Sequence, residues 1–150
     1  MNEKFTPIKT DKCIMLNGRK FTVYNIDGFS FDKSLDITTE KGLYCFTYCY
    51  RIDLKNESFK NTFVVNHLPL YLGKAEGNDG INERLTSQHD KFVDLKGLAN
   101  CLCIYICMNN EQPKVIESEI LSSCGFIFNE QENTCKKIVT VKEVSVNNLP

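Results

Sequence analysis

The chain has 150 residues, 42% of them hydrophobic and 25% charged, a size and balance that suit one ordinary globular domain with interior for a sheet and flanking helices. Eighteen basic against nineteen acidic residues leave a formal net charge of −1, which excludes a globally basic nucleic-acid binder and requires any polyanion to meet a local basic face. No run approaches the roughly 20 apolar residues of a membrane helix, and the opening Met-Asn-Glu-Lys-Phe-Thr-Pro lacks the apolar run of a signal peptide, so a cytoplasmic protein without a membrane partner is expected.

Residues 13 to 24 read as two short strands about Asn17-Gly18, a pair that tolerates the positive φ of a tight hairpin turn. A longer hairpin is expected to run out from Gly42 to Asp53, turn near Asn56-Glu57-Ser58 and return from Phe59 to Gly73. On that turn, Tyr44 and Tyr71 fall opposite one another, and cross-strand partners lie only about 5 Å apart. Tyr44, Phe46, Tyr48 and Tyr50 share one face of the first strand, and Leu43, Cys45, Thr47 and Cys49 share the other. With both faces largely apolar, the strand should be interior to a sheet.

Asp79 is a candidate cap for a helix running from Gly80 through Ile81, Leu85 and Phe92, with Gly97 closing the segment. Asn100 to Met108 is a continuous apolar run that fits a third buried strand. Pro113 suits the start of a helix whose apolar positions Val115, Ile116, Ile120, Leu121 and Cys124 recur up to Gly125. Alternation over residues 137 to 142 suggests a terminal strand. The expected fold is α/β (α+β): a small central antiparallel sheet built on the long hairpin, flanked by helices, with an N-terminal β-rich extension over 1–40, a core over 41–133, and a C-terminal strand and tail over 134–150.

Eight cysteines sit mostly in apolar runs, and buried thiols are the favoured reading. A zinc site on Cys101, Cys103 and Cys107 lacks the Cys-x-x-Cys turn that such sites normally use. Glu117 carries more information, because at about 100° per residue it falls inside the apolar arc of Ile116, Ile120, Leu121 and Cys124. A carboxylate there requires an ion pair, hydrogen bonds or a metal. Arg84 stays charged and can hold two phosphate oxygens at once.

Gly42-Leu43-Tyr44 and Tyr71-Leu72-Gly73-Lys74, followed in order by Arg84, by Glu117-Ser-Glu-Ile-Leu121 and by Asn129, together resemble the GIY-YIG nuclease family over roughly Lys41 to Asn133. Two departures stand out. The family's proline near the asparagine is absent, leaving Asn133 as a rival to Asn129. His89 follows Arg84 by five residues rather than four, with Gln88 in the expected place. The resemblance implies a DNA endonuclease with catalytic Tyr44, Tyr71, Arg84, Glu117 and Asn129. Tyr44 would be the general base, Tyr71 would orient water or phosphate, and Arg84 would stabilise the transition state. Glu117 would hold one Mg²⁺ or Mn²⁺, Asn129 would hold the loop that positions Glu117, and Lys74, His89 and Lys91 would contact DNA, with RNA as the other polyanion of the class. A homodimer or a partner that gives specificity would follow from the absence of an obvious separate DNA-binding segment. Two other classes stay open: a nucleic-acid-binding protein that keeps the fold without cleaving, and a cysteine-dependent redox or metal-sensing module.

Overall fold

A computed structural model describes residues 3–54, 62–130 and 137–148. Strands β2 (Ile8–Leu16) and β3 (Arg19–Asn25) form the first hairpin. Its turn residues Asn17 and Gly18 have φ of 50° and 76°, the doubly positive geometry that matches the twist of a two-residue hairpin. β1 (Lys4–Phe5) pairs in parallel with β4 (Ser34–Leu35) as a separate small ribbon. The long hairpin is β5 (Gly42–Leu54) with β6 (Thr62–Ala75), and the expected turn at residues 56 to 58 lies outside the described residues. β7 (Cys101–Ile106) pairs antiparallel with both β5 and β3, so β5 is an interior strand.

Among the described residues the expected small sheet is instead seven-stranded, ordered β8 (Val141–Lys142), β6, β5, β7, β3, β2, β9 (Val144–Ser145), because the N-terminal hairpin joins the sheet through β3 and β7. The terminal strand expected over 137–142 is a strand at β8 (Val141–Lys142) and continues into β9 (Val144–Ser145). β8 pairs with β6 at Asn66 and His67, while β9 pairs with β2 at Lys12 and Cys13. Five consecutive residues thus bridge both edges of the sheet. Neighbouring strands lie about 4.8 Å apart, so one short strap can reach both edges only where the sheet curls round to meet it.

The helices differ from expectation in one place. The single helix expected from Gly80 through Phe92 is two short pieces, α1 (Gly80–Arg84) and α2 (Phe92–Leu95), and Asp79 makes no side-chain cap bond. Thr86, Ser87 and Asp90 lie between them, residue types whose side chains compete with helical backbone bonds. The Thr86 hydroxyl accepts from the Gln88 N–H, and the Ser34 hydroxyl accepts from the Ser87 N–H. α3 (Pro113–Ser123) begins with its proline in the first turn, as expected.

Two cores cover the two faces of the sheet. Tyr44, Phe46, Leu70, Leu102 and Ile104 meet Ile81, Leu85, Phe92 and Leu95 on one side. On the other, Leu43, Cys45, Leu72 and Cys103 meet Ile116, Ile120 and Leu121 of α3, each worth roughly 1.5–3 kcal/mol on burial. No helix among the described residues is long and apolar enough to cross a membrane.

Candidate active site and a second polar cluster

The register of the long hairpin decides which side chains meet. Tyr44 pairs with Gly73, and Tyr71 pairs with Phe46, so the two phenols are diagonal neighbours rather than directly opposite, with ring centroids 6.2 Å apart. Between Phe46 and Thr47 the partner jumps from Tyr71 to Pro69, leaving Leu70 as an extra residue in β6. Proline has no N–H to give a ladder, and a bulge is one of the few strand positions that accepts it. An uninterrupted register from Thr47 and Pro69 would have paired Tyr44 with Leu72 and sent Tyr71 to the opposite face. The bulge therefore brings both tyrosines to one face.

The two glycines of the motif are sterically required. A Cβ on Gly73 would meet the Tyr44 ring, 2.6 Å from Cε2 and closer still to Cζ and the hydroxyl. A Cβ on Gly42 would run into the Tyr105 carbonyl. Tyr44 lies flat over a bare backbone and is fully buried.

Its hydroxyl is 2.8 Å from His89 Nε2. The Lys91 backbone N–H donates to His89 Nδ1 at 3.1 Å, which makes Nδ1 the acceptor and leaves the ring proton on Nε2, directed at the Tyr44 oxygen. Burial holds His89 neutral, its pKa pushed down to about 4. Arg84 lies close enough to interact electrostatically with the Tyr44 phenol. Burial, followed by Tyr71, pushes the Tyr44 phenol well above its ordinary value, while Arg84 pulls against that rise. Tyr71 is likewise raised, mainly by burial.

Beside Tyr71 lies a cleft of about 300 Å³ along the β6 edge, lined by Tyr71, Lys74, Arg84, Lys91, Glu117 and Asn129, together with Asp90 and Glu130. Glu117 is buried in α3 as its arc position required, at 8% exposure, and Lys74 Nζ lies 3.4 Å from its Oε1. Asn129 does structural work: its Oδ1 accepts from the Leu72 N–H at 2.9 Å and its Nδ2 donates to the Leu72 carbonyl at 2.8 Å. The amide thus substitutes for a neighbouring strand at the open edge of β6. Asn133 lies outside the described residues.

Tyr44, Tyr71, Lys74, Arg84, His89, Lys91, Glu117 and Asn129 are therefore gathered at one place from five separate stretches of chain. His89 differs from the expected surface contact, its side chain being only 2% exposed and stacked on Phe92. Lys91 pairs with Glu130 at 3.4 Å. Asp90 and Glu130, absent from the sequence reading, are exposed acids with no periodic or motif signal to single them out. The Glu117 carboxylate is a hard oxygen donor that fits a largely hydrated Mg²⁺ or Mn²⁺, and such an ion would replace Lys74 as its partner.

A second polar cluster lies farther along the hairpin. Cys49 of β5, His67 of β6 and Cys101 of β7 form a group that could hold a metal ion, their ligand atoms all within 4.8 Å of one another. The three-cysteine set considered from sequence does not form this group. Cys103 is fully buried in the core beside Cys45, and Cys107 lies beyond the end of β7. The Cys49 thiol is pulled down by a hydrogen bond from Cys101 and by His67. Spacing rules could not find this group, since each member comes from a different strand.

No family model, curated protein or solved structure matches the chain.

Proposed function

We propose that this protein is a metal-dependent endonuclease that hydrolyses phosphodiester bonds of DNA at the cleft beside β6. The observation that carries the reading is the convergence of Tyr71, Arg84 and Glu117 on that cleft, with Tyr44 buried behind it and the His89 Nε2–H directed at its oxygen. That donor and the nearby Arg84 charge favour the deprotonated phenol and act against the burial that raises its pKa. Tyr44 would accept the proton of the attacking water, and Tyr71, half-exposed in the cleft, would orient that water or a phosphate oxygen.

Arg84 is exposed, so it is free to turn from Tyr44 to the scissile phosphate. There its fork would bind two oxygens and oppose the charge that develops in the transition state. That movement would have to uncover the Tyr44 hydroxyl, which is fully buried in the present arrangement. Lys74, Arg84 and Lys91 are balanced in the cleft by Asp90, Glu117 and Glu130, so attraction of a phosphate would depend on a bound divalent ion. A divalent Mg²⁺ or Mn²⁺ held on Glu117 would supply further neutralisation of phosphate oxygens. With one such cleft per chain, a double-strand cut requires a dimer or two successive nicks.

The test is cleavage of supercoiled plasmid with Mg²⁺ or Mn²⁺, comparing the parent with Glu117→Ala and with an EDTA control. Circular dichroism verifies that the variant is folded. Nicking or linearisation by the parent, abolished in both controls, is the expected result. The burial that pushes the Tyr44 phenol upward favours a second reading, a nucleic-acid-binding protein that keeps this fold without cleaving. Under that reading the parent retards DNA in a gel and leaves it intact.

A further inference from the structure

His67 is a histidine with no exposure at all, inside a sheet of apolar side chains and about 23 Å along β6 from Lys74 at the usual rise per residue. Its ring is held at both nitrogens. Nδ1 is 2.7 Å from the Thr47 hydroxyl, and Nε2 is 2.6 Å from Glu143 Oε2. Glu143 belongs to the strap, lying between β8 and β9, and its own N–H donates to the Val65 carbonyl at 2.7 Å. Cys49 is the direct cross-strand partner of His67, and Cys101 pairs with Thr47. Two thiols and an imidazole thus share one face at the point where three strands lie side by side. None of these groups is used by the nuclease reading.

We propose that Cys49, His67 and Cys101 form a zinc site that staples β5, β6 and β7, with Glu143 as the positioning carboxylate that ties the site to the C-terminal strap. The donor set decides the metal, because thiolate and imidazole select a soft or borderline ion such as Zn²⁺ over Mg²⁺. The distances suit it. Tetrahedral zinc, here with water as its fourth ligand, has bonds of about 2.3 Å to sulfur and about 2.0 Å to nitrogen, which sets neighbouring ligand atoms about 3.5–3.8 Å apart. From their present spread of up to 4.8 Å the three atoms need close by at most about 1.3 Å. The metal takes Nδ1, where it displaces a bond from a neutral hydroxyl, and Nε2–H keeps its bond to Glu143. A carboxylate on the far nitrogen is the common way for a protein to fix the tautomer and orientation of a zinc-bound histidine. Binding releases the thiol protons to solvent and changes no oxidation state.

The experiment uses the full chain, reduced, incubated with Zn²⁺ alone and passed through gel filtration before metal analysis. The expected result is one zinc per chain, retained by Cys107→Ser and lost by Cys49→Ser and Cys101→Ser. Thermal unfolding of the parent shifts upward relative to the EDTA-treated protein. Cobalt in place of zinc gives the thiolate charge-transfer and tetrahedral d–d bands, and Glu143→Gln weakens affinity by about 10- to 100-fold. Three results would overturn the proposal: a natively folded parent that retains no zinc, zinc retained equally by the folded Cys49→Ser, Cys101→Ser double variant, or cobalt bands that survive in that variant. No readout involves DNA, so the outcome is separate from that of the plasmid assay.

Discussion

The state of His89 has a thermodynamic consequence that can be measured without any substrate. Desolvation lowers its pKa from 6.5 to about 4, with Arg84 and Lys91 adding to the depression and Asp90 opposing it. Below pH 6.5 the unfolded chain takes up a proton at this position that the folded chain refuses. Stability is therefore complete above 6.5 and is lost as pH falls towards 4. Going from about pH 7.5 to about pH 5 costs about 2 kcal/mol from this group alone, and about 3 kcal/mol by about pH 4. With a urea slope of about 2 kcal/mol per molar, the first figure corresponds to a midpoint shift of roughly 1 M. Carboxylates also titrate in this range, so the measurement is a difference: urea unfolding at both pH values for the parent and for His89→Gln, which has no titrating group there. The parent should lose about 2 kcal/mol more than the variant on acidification. Equal losses in the two proteins would refute the buried, neutral imidazole and with it the assignment of an Nε2–H directed at Tyr44.

Gly73→Ala places a methyl group against the Tyr44 ring, an overpacking that should cost about 1–3 kcal/mol; thermal unfolding measures it, and plasmid cleavage should fall with the displaced phenol. Asn129→Ala removes both bonds to Leu72, worth about 2 kcal/mol together. Hydrogen exchange at the Leu72 amide should then accelerate more than exchange in β7, whereas equal acceleration would mean that Asn129 supports the fold globally rather than the β6 edge.

Much of the site was legible because its residues obey local rules. Glu117 stood out as a carboxylate in an apolar helical arc, and it is buried in α3 facing Lys74. Gly42, Tyr44, Tyr71 and Gly73 were singled out by a family resemblance rather than by a local rule, and both glycines have a steric reason in the fold. The helix expected over 80 to 92 failed because periodicity counts apolar positions and ignores the hydroxyl and carboxylate side chains that break the backbone ladder at 85 to 91. His89 lies in the turn between α1 and α2, where a helical count from Arg84 has no geometric meaning.

Alternation of apolar residues, the hairpin turn at Asn17-Gly18 and the proline-led helix are properties of short stretches, and they located the two hairpins, β7, the third helix and the buried carboxylate, while the two-residue strands β1, β4 and β9 carried no such signal. What the sequence by itself left open were relations between distant stretches. The Leu70 bulge puts Tyr71 on the face of Tyr44, the amide of Asn129 closes the edge of β6, and residues 141–145 join both margins of the sheet. The meeting of Cys49, His67 and Cys101 is of the same kind, since it follows from strand register and sheet order. Register is fixed by the packing of whole faces against one another, so only the tertiary structure could decide it.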